Sequence, residues 1–213
     1  MLYLLLASTF SALLYGVFFS NSAPSLTRIS VKTAATALLT LWAYYSGAPL
    51  LIVIALAFST LGDGLLGASE ERYLLPGMAA FFIAHAAYIP VFWEHAAETR
   101  TIYVLGLQVV MTVGGAFFVR SMMPWIDKAM RLPVLAYAII ILIMANGALR
   151  LEPALGLAIV GALAFVTSDL ILTLELFRLK PDAPIKRLTA RAIWFLYYGG
   201  QAAIAWSFIH AIA

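Results

Sequence analysis

The sequence predicts an all-α, polytopic integral membrane protein with about eight transmembrane helices in one bundle. Three observations lead there. Of the 213 residues, 64% are hydrophobic and only 11% are charged, which leaves too little polar surface for a water-soluble domain. The apolar residues fall in runs of about 20, the length a helix needs to cross the hydrocarbon of a bilayer while closing its own backbone hydrogen bonds. Only short connections separate the runs, so the chain reads as a single transmembrane domain over residues 1–213.

Each span is bounded by charge, proline or glycine. The first, near 2–20, has no Lys or Arg before Arg28; without the basic leader of a cleaved signal peptide it reads as a retained span. The second covers 29–47, after Arg28. The third, 49–67, starts at Pro49 and stops before an acidic and basic stretch at 70–72. The fourth is placed at 75–93 and the fifth at 101–119, ended by Arg120. The sixth, 132–149, lies between Arg131 and Arg150. The seventh, 153–177, opens on Pro153 and stops before Arg178, and the eighth, 190–212, follows the basic stretch LKPDAPIKR.

Basic residues fix the orientation. Eleven of the 13 Lys and Arg fall in or beside the loops after spans one, three, five and seven; the other side holds only Arg100 and Arg150. Positive loops stay cytoplasmic, which puts both termini outside. The net charge of +3 is then a topology signal and a contact for anionic headgroups of membrane lipids, with no feature pointing to nucleic acid. Short loops and the absence of an organelle signal point to a bacterial inner membrane. Cysteine is absent, which removes disulfides and a thiolate nucleophile.

Two carboxylates stand out against this background. Asp63 in FSTLGDGLL and Asp169 in FVTSDLIL interrupt apolar runs, and ionisable groups at membrane depth cost several kcal/mol and mark function. Spans three and seven run in the same direction. At about 1.5 Å per residue Asp63 lies roughly 21 Å in from Pro49 and Asp169 roughly 24 Å in from Pro153. Both carboxyls therefore sit at similar depth, in the cytoplasmic half. Lys32 lies on the same side, near enough to the interface to snorkel. His85 is near the middle of span four, and Tyr197, Tyr198 and Gln201 fall in the inner or central part of span eight. These groups can converge on one cavity open to the cytoplasm. Taken singly, the tyrosines and Gln201 read as interhelical glue, as do the glycines at 114, 115, 199 and 200 as close-packing positions. Asn146 reads as structural, and Glu175 and Arg178, close to the inner boundary, are set aside.

Two buried carboxyls can divide their protonation states, one acting as acid and the other as base or as partner for a developing cation. Proton-coupled transport would use the same division. Metal hydrolysis needs about three clustered ligands, whereas His85, His95 and His210 differ in depth and no HExxH or HxxxH occurs. Ser59 and Ser168 lack the GxSxG setting of a nucleophile.

Four segments, ALAFSTLGDGLL, GMAAFFIAHAAYIPVF, GALAFVTSDLILTLELF and YYGGQAAIAW, in this order on spans three, four, seven and eight, resemble the YhhN family, whose animal members are lysoplasmalogenases. Lys32 in ISVKTAATALL resembles the lysine on that family's second span, with Thr33 where proline often follows. The resemblance implies an eight-helix membrane hydrolase that cleaves the vinyl ether bond of lysoplasmalogen. Its products would be a fatty aldehyde and glycerophosphoethanolamine or glycerophosphocholine. It further implies that Asp63 and Asp169 are the catalytic pair and that no metal or organic cofactor is needed. Lys32 would hold the phosphate of a single-chain lysophospholipid, and His85, Tyr88, Tyr197 and Gln201 would orient carboxyls or water. The rival readings are a proton-coupled transporter or lipid-moving protein using the same aspartates, and a lipid-binding protein without turnover.

Overall fold

The computed structural model describes residues 1–68, 71–99, 101–180 and 182–211. Within them lie eight helices and no strand: α1 (Leu2–Leu14), α2 (Leu26–Tyr45), α3 (Leu50–Gly67), α4 (Glu71–Glu94), α5 (Ile102–Met122), α6 (Lys128–Ala148), α7 (Gly156–Phe177) and α8 (Lys186–Ala211). A π-helical turn, Tyr15–Phe19, continues α1, and single 3₁₀ turns precede α7 and follow α5. Six of the helical segments are long and apolar enough to cross a membrane, as expected of a multi-pass membrane protein. The other two are α2 and α8. They carry Arg28 and Lys32, and Lys186, Arg187 and Arg191, and they also deliver polar groups to the interior, as described below.

The helix bounds differ from the sequence reading mainly at the ends that carry charge. α4 and α8 begin at Glu71 and Lys186, about one turn before the expected starts at 75 and 190, because charged side chains end an apolar run without ending a helix. Pro76, Pro90 and Pro133 lie inside α4 and α6. Arg100 and the expected end of span eight at 212 lie outside the described residues.

α1, α2, α3 and α4 pack in succession, as do α5, α6, α7 and α8, and the two series meet where α4 touches α6 and α2 touches α8. One apolar core draws on every helix except α5 for its buried residues. With lipid as solvent, helix association depends on close packing and polar contacts rather than on hiding apolar surface. Hydroxyls supply part of this. Ser8 Oγ donates to Ala35 O at 2.6 Å and lies 2.7 Å from Tyr198 OH, joining α1, α2 and α8. Trp194 Nε1 donates to Ala12 O at 2.8 Å. Asn146 is structural, as expected: its Nδ2 donates to Thr112 Oγ1 at 3.2 Å, and its own carbonyl accepts from Gln108 Nε2 at 2.9 Å, tying α5 to α6.

The glycines divide. A Cβ on Gly200 would lie 2.6 Å from Gly161 O, and one on Gly161 2.5 Å from Gly200 O, so α7 and α8 touch backbone to backbone. Gly115 likewise meets Leu142, but Gly114 and Gly199 have nothing within 4 Å; these two are not the packing positions the sequence suggested, since they face away from neighbouring helices. Gly200→Ala is therefore expected to destabilise the protein by about 1–3 kcal/mol. Gly199→Ala should leave thermal unfolding in detergent unchanged, and equal melting of the two variants would contradict the close approach of α7 and α8.

Candidate functional site

A cavity of about 520 Å³ lies where the start of α2, the end of α3, the start of α4, the end of α7 and the start of α8 converge. Lys32, Asp63, Ser168 and Asp169 are among its polar lining, and Leu66, Met78, Phe81, Val134, Leu172 and Trp194 among its apolar walls. Polar groups at one place within apolar walls are the combination that fits an amphiphile.

Asp63 projects from α3 and is 1% exposed. Its Oδ1 lies 3.0 Å from Lys32 Nζ of α2, and its Oδ2 accepts a 2.8 Å hydrogen bond from Tyr197 OH of α8. The preceding residue has to be glycine, since a Cβ on Gly62 would lie 2.6 Å from the Phe81 ring. That ring stands edge-on to Tyr197, with centroids 5.6 Å apart. A buried carboxylate thus gains a charged donor and a neutral one, the condition under which burial of charge is tolerable.

Asp169 projects from α7 and keeps 13% of its side chain exposed. Its Oδ2 accepts a 3.0 Å hydrogen bond from Tyr137 OH of α6, and His85 Nε2 of α4 faces the same oxygen at 3.5 Å. His85 is fully buried, with Nδ1 2.6 Å from Phe81 O and its ring against Tyr137 and Phe165. Phe81, Phe165 and Tyr197 stack edge to face between the Asp63 side and the His85 side, so one aromatic cluster supports both carboxyls.

Five of the seven expected site residues are therefore in contact with a carboxyl or are the carboxyls themselves: Lys32, Asp63, His85, Asp169 and Tyr197. The remaining two form a separate pair. Tyr88 OH donates to Gln201 Oε1 at 3.0 Å, about one helical turn along α4 and α8 from His85 and Tyr197, and neither lines the cavity. Gln201 Nε2 is buried without a hydrogen-bond partner among the described residues. Lys32, read from the sequence as a phosphate ligand, is found on Asp63. Tyr198, next to Tyr197 in sequence, bonds instead to Ser8 of α1.

The sequence reading missed Tyr137. It sits in LPVLAYAIIIL with no polar neighbour, so only depth could have singled it out. It lies nine residues after the start of α6 and Asp169 eight before the end of α7, both roughly 12–14 Å from the same end. Trp194, whose ring lies 5.9 Å from Lys32 Nζ, and Arg28 also line the cavity. Glu175, set aside as interfacial, lines it as well and accepts from Thr189 Oγ1 at 2.5 Å. No group of three or more His, Cys, Asp or Glu side chains suited to a metal ion occurs among the described residues.

A search of curated proteins and of solved structures finds no match. The family model of the YhhN family matches residues 27–208, which include every carboxyl, amine, imidazole and phenol placed at the two carboxyl groups above. The match spans most of the chain, so this protein belongs to the YhhN family.

Proposed function

We propose that this protein is an intramembrane hydrolase that cleaves the vinyl ether bond of a lysoplasmalogen, releasing a fatty aldehyde and glycerophosphoethanolamine or glycerophosphocholine. The observation that carries the reading is the pair of carboxyls, Asp63 from α3 and Asp169 from α7, on one cavity with apolar walls. A vinyl ether hydrolyses by protonation on carbon to an oxocarbenium ion, addition of water and collapse of the hemiacetal. One carboxyl serves as general acid. The other stabilises the cation, the division of labour used in glycoside hydrolysis.

The substrate's single alkyl chain would run along the apolar wall, and its phosphate would find the cations of the cavity, Lys32 and Arg28. His85 and Tyr197 orient the carboxyls, while Gln201, with its unpartnered amide, and Tyr88 hold water behind them. All eight helices would cross the bilayer as one bundle and one domain over 1–213. By the charge bias of the loops, both termini lie outside and the cavity opens in the cytoplasmic half, in a bacterial inner membrane. The chemistry asks for no metal or organic cofactor.

Aldehyde release by the purified protein tests this directly. Lysoplasmalogen should yield aldehyde, while alkyl-ether and acyl-ester lysolipids of the same headgroup and chain length should not be cleaved. Full turnover by both Asp63→Asn and Asp169→Asn, in folded protein, would sink the assignment of the pair. Proton-dependent uptake without product would instead favour a transporter or lipid-moving protein built on the same carboxyls, and a substrate that binds and survives would favour a lipid-binding protein.

A further inference from the structure

We infer that the two carboxyls are not interchangeable: Asp169, positioned by Tyr137 and His85, delivers the proton, and Asp63, held by Lys32 and Tyr197, is the fixed anion facing the developing cation. The inference rests on the vinyl ether reading above and adds to it the role of each group.

The hydrogen bonds divide the carboxyls. Both oxygens of Asp63 face fixed protein partners, Oδ2 accepting from Tyr197 OH at 2.8 Å and Oδ1 buried in an ion pair 3.0 Å from the Lys32 ammonium. A carboxyl set between an ammonium and a phenol has both oxygens turned to protein partners rather than to a substrate. Asp169 is engaged on one oxygen only. Tyr137 OH, 3.0 Å away, and His85 Nε2, 3.5 Å away, both address Oδ2. Oδ1 has no hydrogen-bond partner among the described residues, and the side chain lines the cavity. Among the described residues it is the oxygen of the pair with neither a hydrogen bond nor an ion pair, and so the one placed to carry a proton toward a reacting atom.

His85 completes the arrangement through its tautomer. Phe81 O can only accept, so Nδ1, 2.6 Å away, carries the ring hydrogen; this follows from the partner and not from an observed proton. Nε2 then bears no hydrogen and only faces Oδ2 at 3.5 Å, so Tyr137 OH is the hydrogen-bond donor on that oxygen and the proton-bearing position falls to Oδ1.

The steps balance with this assignment. The Asp169 Oδ1–H bond breaks as the vinyl π pair forms a C–H bond at the carbon remote from oxygen. The ether oxygen stabilises the resulting cation as an oxocarbenium ion, opposite the Asp63 carboxylate. Water adds to the cationic carbon and its proton returns to Asp169. The hemiacetal hydroxyl proton then reaches the glycerol oxygen, through the same carboxyl, as the C–O bond breaks. One water is consumed and no net proton.

The test uses full-length purified protein whose aldehyde release has been shown, so that failure of the substrate reading is registered separately. Asp169→Gly and Asp63→Gly are assayed with added formic acid across a range of pH. Asp169→Gly is expected to recover at least ~10-fold, at a rate that follows the undissociated acid. Recovery of Asp169→Gly that follows formate anion, or of Asp63→Gly that follows the undissociated acid, would reverse the roles. Binding supplies a readout free of turnover: a lysolipid mimic with a secondary ammonium in place of the vinyl ether. Asp169→Asn should bind it as the wild type does, and Asp63→Asn at least ~10-fold more weakly, as expected for the loss of one close counter-charge. Equal binding by both variants, or loss with Asp169→Asn instead, overturns the assignment. If Asp63→Asn does not fold, Lys32→Met with Asp63→Asn is used, and the loss is read as the ratio of binding of the ammonium mimic to that of the neutral alkyl-ether lysolipid, which cancels any contact of Lys32 with the phosphate. As a positioning residue, Tyr137 should act on kcat: Tyr137→Phe lowers it about 10-fold at constant KM, the pattern of an interaction made only in the transition state.

Discussion

Asp169→Asn is expected to lower aldehyde release from lysoplasmalogen by about 10³-fold or more while leaving the melting temperature close to that of the wild type. The two halves of this result have different origins. Asparagine is isosteric with aspartate and retains a carbonyl oxygen, so the 3.0 Å hydrogen bond donated by Tyr137 OH can persist. The aromatic setting of His85 between Tyr137 and Phe165 does not depend on a charge at 169. What asparagine lacks is an acidic proton to place on a vinyl carbon. Carbon protonation is slow without a positioned acid, and general acid catalysis of this kind contributes typically 10²–10⁴-fold. Unchanged turnover in Asp169→Asn would remove this residue from the chemistry. A loss of turnover that paralleled a loss of helical signal would make it a structural residue. Asp169→Glu separates these readings further, because it keeps the acid but moves it: partial activity with a normal fold is the expected outcome.

The fold was legible because membrane helices obey few constraints. Apolar run length, together with the charged, proline and glycine breaks between runs, locates all eight helices, with errors at the ends, where Glu71 and Lys186 stay helical. The two aspartates were legible for the same reason, since a carboxylate in an apolar run has no low-cost structural explanation. Depth counting along α3 and α7 puts both at one level, and the structure sets them on one cavity with Lys32 beside Asp63 and His85 beside Asp169. Partnership was not legible. That Lys32 goes to Asp63 and His85 to Asp169 depends on how α2, α4, α6 and α8 are arranged around α3 and α7, and one-dimensional depth does not contain that angle. Tyr137 was missed on related grounds: a phenol among Leu and Ile is a common apolar residue until a carboxyl is found opposite it. The glycines show the limit in another form. Gly199 and Gly200 are adjacent in sequence, but only Gly200 faces α7; composition marks both and helical phase selects one.

Lys32→Met is expected to cost about 3–5 kcal/mol of stability, the largest effect of any single substitution considered at this site. Asp63 is 1% exposed and Lys32 16%, so neither charge is solvated well enough to stand alone. Removing the lysine leaves Asp63 with neutral hydroxyls, Tyr197 OH at 2.8 Å and Thr36 beside it, and neutral donors do not replace an ammonium at 3.0 Å. Asp63→Asn in the same chain should restore most of the lost stability, because it removes the uncompensated carboxylate. It should not restore turnover, because the anion that meets the oxocarbenium ion is then gone. Thermal unfolding of the two single variants and the double variant in detergent gives the coupling between the residues as a double-mutant cycle. Substrate kinetics decide what the lysine does under the proposed hydrolase reading. If Lys32→Met raises KM for the lysolipid, leaves kcat unchanged and melts like the wild type, the ammonium serves the phosphate and Asp63 is held by other means. If kcat falls together with stability and the double variant recovers only stability, the ammonium exists to keep Asp63 charged inside the bilayer, and the phosphate must be met nearer the mouth, where Arg28 lines the cavity.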